Sequence, residues 1–189
     1  MNDETIATDG ELVDRVRNGS DRAFDLLMGR HKERLYRVIR RHIGDREEAF
    51  DLLQEAFVAA WSALERFDTN RRFDAWLIRI ALNKCHDWGR RKKVRSLINF
   101  HFSDEHLSQV SDGKPSSEII AIDRQTLSRL DVAISALPRK LKEPLILTAL
   151  EGLSHRDAGE ILGVSAKAVE VRVYRARQKL AKILEAPMC

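Results

Sequence analysis

The chain has 189 residues, a formal net charge of +4 and a pI near 9.2, a balance that favours a polyanionic partner. With 43% hydrophobic and 33% charged residues, it describes one large or two small globular domains and excludes a disordered chain. Only Cys85 and Cys189 are present, so no disulfide framework is implied and a reducing, cytoplasmic setting is expected. No basic start leads into an apolar run, and no run approaches the ~18 apolar residues that span a bilayer, so neither a secretory signal nor membrane insertion is expected.

Residues 1–9 are polar. A helix is expected from about Gly10, with Leu12, Val13 and Val16 apolar and Asn18-Gly19-Ser20 breaking it. Ser20 is placed to cap a long helix in which Phe24, Leu27, Met28, His31, Leu35, Val38, Ile39 and His42 follow helical spacing. His31 and His42 read as packing residues at the edge of that stripe rather than ligands. Gly44-Asp45 ends this helix and starts another, and Asp45 with Glu48 is close to a capping box. Its expected buried face carries Ala49, Leu52, Leu53, Ala56, Phe57, Ala60, Trp61 and Leu64. The opposite face carries Glu47, Asp51, Gln54, Glu55 and Val58. That acidic face is either solvated or a docking surface for a basic helix, and composition does not choose.

Phe67 to Asn70 reads as a turn. In the helix that follows, Phe73, Trp76, Leu77 and Ile80 make a core face, and Lys84, Arg90, Arg91, Lys92, Lys93 and Arg95 turn the later part basic. Cations interleaved with aromatics suit phosphate neutralisation and base stacking on single-stranded nucleic acid. Trp88 belongs to the core or to that surface, and the pattern leaves both open. Residues 96–117 lose periodicity and read as a linker between domains at 1–95 and 118–189. Cys85, His86, His101 and His106 lack paired metal-ligand spacing, so no metal site and no cofactor are expected. From Glu118 helical spacing resumes through Ile122, Leu127, Leu130, Val132, Ile134 and Leu137. Pro138 stops it, and Pro144 is expected as a second stop that opens a helix from Leu145 to Leu150, ended by Gly152.

The stretch from Leu150 to Leu180 reads as two helices around a tight turn. Ser154 caps the first, Gly159 allows close approach, Gly163 takes the left-handed conformation and Ser165 caps the second. Val164, Val169, Val173, Ala176 and Leu180 form one apolar face. Lys167, Val171, Tyr174, Arg175 and Gln178 point away from it, with Glu170, Arg172 and Arg177 on its flanks. This is the pattern of a helix-turn-helix that offers its second helix to DNA.

Three stretches together resemble the extracytoplasmic-function (group IV) class of the sigma-70 family of bacterial RNA polymerase sigma factors. Asp45 to Trp61, with Asp51-Leu52-Leu53-Gln54-Glu55-Ala56-Phe57 at its centre, is similar to region 2.2. Phe73-x-x-Trp76-Leu77-x-x-Ile80-Ala81-x-Asn83-x-x-x-Asp87-x-x-Arg90-Arg91 resembles regions 2.3 and 2.4. Ala136-Leu137-Pro138 through Leu180 resembles region 4. The resemblance implies an all-α chain of two small helical domains joined by a flexible linker, with no enzymatic activity and no small-molecule substrate.

It further implies that Asp51, Gln54 and Glu55 dock on the clamp coiled coil of the largest subunit of core RNA polymerase. Asn83, Lys84, His86, Trp88, Arg90, Arg91 and Lys92 would meet the −10 element as its strands separate. Lys167, Glu170, Val171, Arg172, Tyr174, Arg175 and Arg177 would meet the −35 element as duplex. An anti-sigma factor that clamps both domains is implied as a partner. Ala168 stands where many members carry Thr and Glu170 where many carry Lys, which lowers local positive charge; Glu170 is free to accept from a cytosine amino group or to pair with Arg177 or Lys167. An enzyme would need converging carboxylates, a nucleophile–base pair or a metal set, and none stands at useful spacing. The main rival is a stand-alone helix-turn-helix regulator, which leaves the acidic helix and the Trp- and Arg-rich helix unexplained. A sigma-like decoy would not need Arg172, Arg175, Arg177 and Lys179.

Overall fold

The computed structural model describes residues 7–102 and 130–185, and every regular element among them is helical. Helix α1 (Asp9–Arg17) opens on a reciprocal capping box, with Thr8 Oγ1 accepting from the Glu11 amide at 3.3 Å and the Glu11 carboxylate accepting from the Thr8 amide at 2.7 Å. Helix α2 (Asp21–Ile43) is capped by Ser20, whose hydroxyl accepts from the Ala23 amide, and ends at Gly44 with φ 77°. Helix α3 (Arg46–Ala63) is capped by Asp45, which accepts from the amides of Glu47 and Glu48 at 3.0 and 3.1 Å. Each such cap contributes about 1 kcal/mol.

Leu27, Leu35, Val38 and Ile39 of α2, Leu52 and Ala56 of α3, and Leu77, Ile78 and Ala81 of the following helix bury one another almost completely. Each large side chain in this set gains about 1.5–3 kcal/mol from leaving water. Arg17 ties α1 to the turn after α3 by donating to the carbonyls of Leu64, Glu65 and Phe67. Trp61, expected on the buried face of α3, is instead 44% exposed, because its edge-on contact with Phe24 lies at the rim of the core.

Helix α4 (Phe73–Phe102) runs beyond the boundary expected at residue 95, since no Gly or Pro interrupts the chain between Arg90 and Gly113. The start of the expected linker, 96–102, is therefore helical, and its remainder lies outside the described residues, as do Ile122 and Leu127.

The second half begins with helical residues 130–135, in which Ile134 is buried while Val132, expected in the stripe, faces solvent. Pro138 then precedes α5 (Arg139–Leu145), which continues into a π-helical turn, Ile146–Leu150. Pro144 does not stop one helix and open another; it lies inside α5. As the sixth residue of this helix it removes the amide that would bond the Lys140 carbonyl, and the wider turn that follows carries the Glu151 amide to the Ile146 carbonyl at 3.0 Å. Helices α6 (His155–Leu162) and α7 (Ala166–Glu185) complete the fold.

The two halves pack on each other through charge. Arg34, Arg37 and Arg41, stacked along α2, converge on Glu151, whose side chain is only 2% exposed, at 3.5, 3.3 and 2.8 Å. Arg40 meets Asp131 at 3.2 Å, Arg72 meets Asp157 at 3.3 Å, and Arg79 donates to the Glu160 carbonyl at 2.6 Å.

Candidate nucleic-acid interface

Helix α3 presents Asp51 and Gln54 fully to solvent, beside exposed Phe50 and Val58. Phe50 is stacked on Tyr36 of α2 at 4.5 Å, which fixes the rim of this face. Glu55 sits half-buried at its other edge, 3.7 Å from Lys84 and 3.5 Å from Arg91 of α4. The acidic surface of α3 and the cationic surface of α4 therefore meet at one carboxylate.

Along α4 the candidate strand-binding residues divide by environment. Asn83, Arg90, Arg91 and Lys92 are exposed, and Lys84 is half-buried against Glu55. Arg90 is paired with Asp87 one turn back. Trp88 is 8% exposed and donates its indole N–H to Glu48 Oε2 at 2.8 Å, so Glu48 serves α4 rather than closing a capping box with Asp45. The Lys92 ammonium covers the Trp88 ring, 4.7 Å from the centroid, so Trp88 belongs to the core. Trp76 is half-buried in a ring cluster with Phe67 and Phe73, at 4.8 and 5.4 Å. His86 is held against Glu143 of α5 at 2.5 Å.

The second half supplies the helix-turn-helix. Ser154 caps α6 by accepting from the Asp157 amide at 3.0 Å, and Gly163, at φ 67°, ends it. A Cβ on Gly159 would lie 2.6 Å from the Val164 carbonyl oxygen, so only glycine lets the turn fold this tightly onto α6. Ser165 accepts from the Ala168 amide at 3.2 Å and starts α7. Val169, Val173 and Ala176 are buried against α5 and α6. This leaves Lys167, Val171, Tyr174, Arg175 and Arg177 exposed, with Arg172 half-buried at the flank. Tyr174 is 63% exposed and accepts from Gln178 at 2.9 Å. Of the partners open to Glu170, the structure pairs it with Lys167 at 2.9 Å, and that hydrogen bond lowers its carboxyl pKa.

One group of residues escaped the sequence reading. Glu143 of α5 accepts from His42 of α2 at 3.2 Å and from His86 of α4 at 2.5 Å, joining the two halves. Burial alone would raise the Glu143 carboxyl, but the two imidazole hydrogen bonds outweigh it and draw it down to about 2. Burial also pushes His42 down, against the pull of Glu143, so its imidazole favours the neutral form. The contact residues Arg34, Arg37 and Arg41 did leave a signal, a cationic row at helical spacing on α2, though nothing local points to Glu151 as their target.

Family models for sigma-70 region 2 and sigma-70 region 4 match residues 27–95 and 127–180. The RNA polymerase sigma factor CnrH of Cupriavidus metallidurans is 38% identical over 181 residues, covering 93% of each chain. The ECF RNA polymerase sigma factor SigW of Bacillus subtilis is 31% identical over 91% of this chain and 94% of its own. The solved structure of CnrH in complex with the cytosolic domain of CnrY superposes with a TM-score of 0.70 at 33% identity, covering 95% of this chain and 99% of that one.

Proposed function

The chain belongs to the sigma-70 family of RNA polymerase sigma factors, in the extracytoplasmic-function group, and from that premise we propose how its residues divide the work. It is a promoter-specificity subunit and not an enzyme: it binds core polymerase, recognises the −35 and −10 elements and starts transcription. The regulon is one that answers stress or envelope damage, and the protein works in the cytoplasm. Among the described residues no helix is long and apolar enough to cross a membrane.

Residues 1–95 form the polymerase- and −10-binding domain and 118–189 the −35-binding domain. Asp51, Gln54 and Glu55 dock on the clamp coiled coil of the largest polymerase subunit, where carboxylates steer and orient a basic partner. Asn83, Lys84 and His86 border the pocket for a displaced −10 base, while Arg90, Arg91 and Lys92 hold phosphates. Lys167, Glu170, Val171, Tyr174 and Arg175 read the −35 duplex, with Arg172 and Arg177 nearer its backbone. An anti-sigma factor holds the chain inactive by engaging both domains; the similar CnrH has been solved in complex with a protein partner, the cytosolic domain of CnrY.

The observation that carries this reading is the presence, in one chain, of an exposed cationic recognition helix and an acidic helix beside a cationic one. A stand-alone regulator has no use for the latter pair. Asp51→Arg tests it: affinity for core polymerase should fall by about 100-fold, since a like charge facing a basic partner costs several kcal/mol, while duplex −35 binding stays within twofold of wild type. Unchanged core affinity would return the acidic face of α3 to a solvated surface.

A further inference from the structure

We propose that His42, His86 and Glu143 form a binding site for a divalent cation of the zinc class, and that the bound ion staples the two halves of the chain together. The sequence offers no ligand spacing, because the three residues come from three helices and two domains. In the fold, His42 closes α2, His86 lies within α4, and Glu143 belongs to α5. Their ligand atoms all lie within 4.8 Å of one another. Both Nε2 atoms converge on the same carboxylate oxygen, Oε1, at 3.2 and 2.5 Å. Ligands placed about 2.1 Å from a tetrahedral zinc ion stand roughly 3.4 Å apart, so small rotations open this triangle to the required size.

The chemistry of the donors fits the ion. Two imidazoles and one carboxylate are a zinc set that leaves a fourth position for water. Binding needs Glu143 as the carboxylate and both imidazoles neutral, so metal affinity should fall as pH drops. Each imidazole then gives up its Nε2–H bond to Glu143, carries its proton on Nδ1 instead and offers the Nε2 lone pair. His42 and Glu143 are both buried, and they face each other across the contact between the halves.

Other groups border the site. The Lys142 ammonium donates to the carbonyls of His42 and Ser135 at 2.8 and 2.6 Å, and Arg139 approaches Glu143 Oε1 at 3.5 Å from its exposed side. Cys85, buried beside His86, is not among the residues whose donor atoms converge.

The consequence rests on the promoter-binding role of α4. A cation on these three residues would occupy His86 and keep the second half seated on the strand-binding helix, opposing promoter engagement. The test uses the untagged full-length chain, stripped with chelator, and Co2+ as a spectroscopic stand-in for Zn2+. One Co2+ per chain should give visible d–d absorption that Zn2+ displaces. His42→Gln and Glu143→Gln, checked for wild-type helicity by circular dichroism, should each weaken binding by more than about 100-fold, beyond the cost of losing a supporting partner. Small-angle scattering should show the wild-type chain becoming more compact with Zn2+, and the variants not responding.

Absence of stoichiometric Co2+ binding, or binding equally tight in both variants, overturns the site. Binding without compaction overturns the staple. Neither readout involves polymerase or promoter, so the metal site and the promoter assignment fail independently.

Discussion

The two helices proposed to meet DNA differ in how much of their surface is already committed. On α7, Tyr174, Arg175 and Arg177 stand in solvent, and the one local carboxylate, Glu170, engages only Lys167. On α4 most candidate contacts already hold a protein partner: Lys84 and Arg91 share Glu55, Arg90 holds Asp87, Trp88 bonds Glu48 and His86 bonds Glu143. A duplex presents its groove ready-made, so a rigid exposed helix can read it at once. On the proposed assignment, a separating strand would have to displace existing partners, and α4 would exchange carboxylates for phosphates. Exposed pairs of this kind hold by about 0–1 kcal/mol each, which makes the exchange inexpensive. The acidic helix α3 and the strand helix α4 are therefore coupled through Glu55.

Substitutions can break or sharpen this contrast. The largest effect is expected on α7: Arg175→Ala should cost about 1–3 kcal/mol in binding to duplex −35 DNA if the guanidinium reads a base edge, and should relax specificity at that position. Electrophoretic mobility shift with single-base variants of the element checks both. On α4, Arg91→Ala should weaken −10 single-strand binding and lower the slope of log K against log salt by about 0.7, the loss of one phosphate contact. An unchanged slope would place Arg91 outside the strand path. The smallest effect sharpens the coupling. Glu55→Gln releases Lys84 and Arg91 and should strengthen single-strand binding by less than about 1 kcal/mol while weakening core binding. Weaker strand binding in that variant would mean that Glu55 positions the two cations rather than competing for them.

What was legible in the sequence was what is local. Ser20, Asp45 and Ser154 cap the helices they precede, and Gly44 and Gly163 take positive φ, because each answers to amides and sterics within a few residues. The outward face of α7 followed from periodicity alone. Pro144 misled because a proline disfavours a helix interior, whereas here it is kept inside α5 next to the π-helical turn that follows. The helix extension to Phe102 was missed because the boundary was set at residue 95, although the polar stretches that mark the linker begin only at Ser103. The capping box of Thr8 and Glu11 was equally local but went unread.

Pairings between the halves were not readable. His42 looked like a packing residue because its partners, His86 and Glu143, lie far along the chain, and Glu151 gives no sign that three arginines of α2 will surround it. Such contacts depend on how two domains dock, which periodicity does not encode. Family resemblance linked the acidic face of α3 to a partner, since an exposed carboxylate row has the same composition whether it is solvated or docked.

The most direct test of the central claim is transcription reconstituted from purified chain and core polymerase on promoters bearing both elements, the −35 alone or the −10 alone. A preformed α7 working with an exchangeable α4 predicts transcripts that require both elements, and no transcript from core polymerase without the chain. Failure at every promoter of the organism, or initiation that needs the −35 element but is indifferent to the −10 sequence, would contradict it.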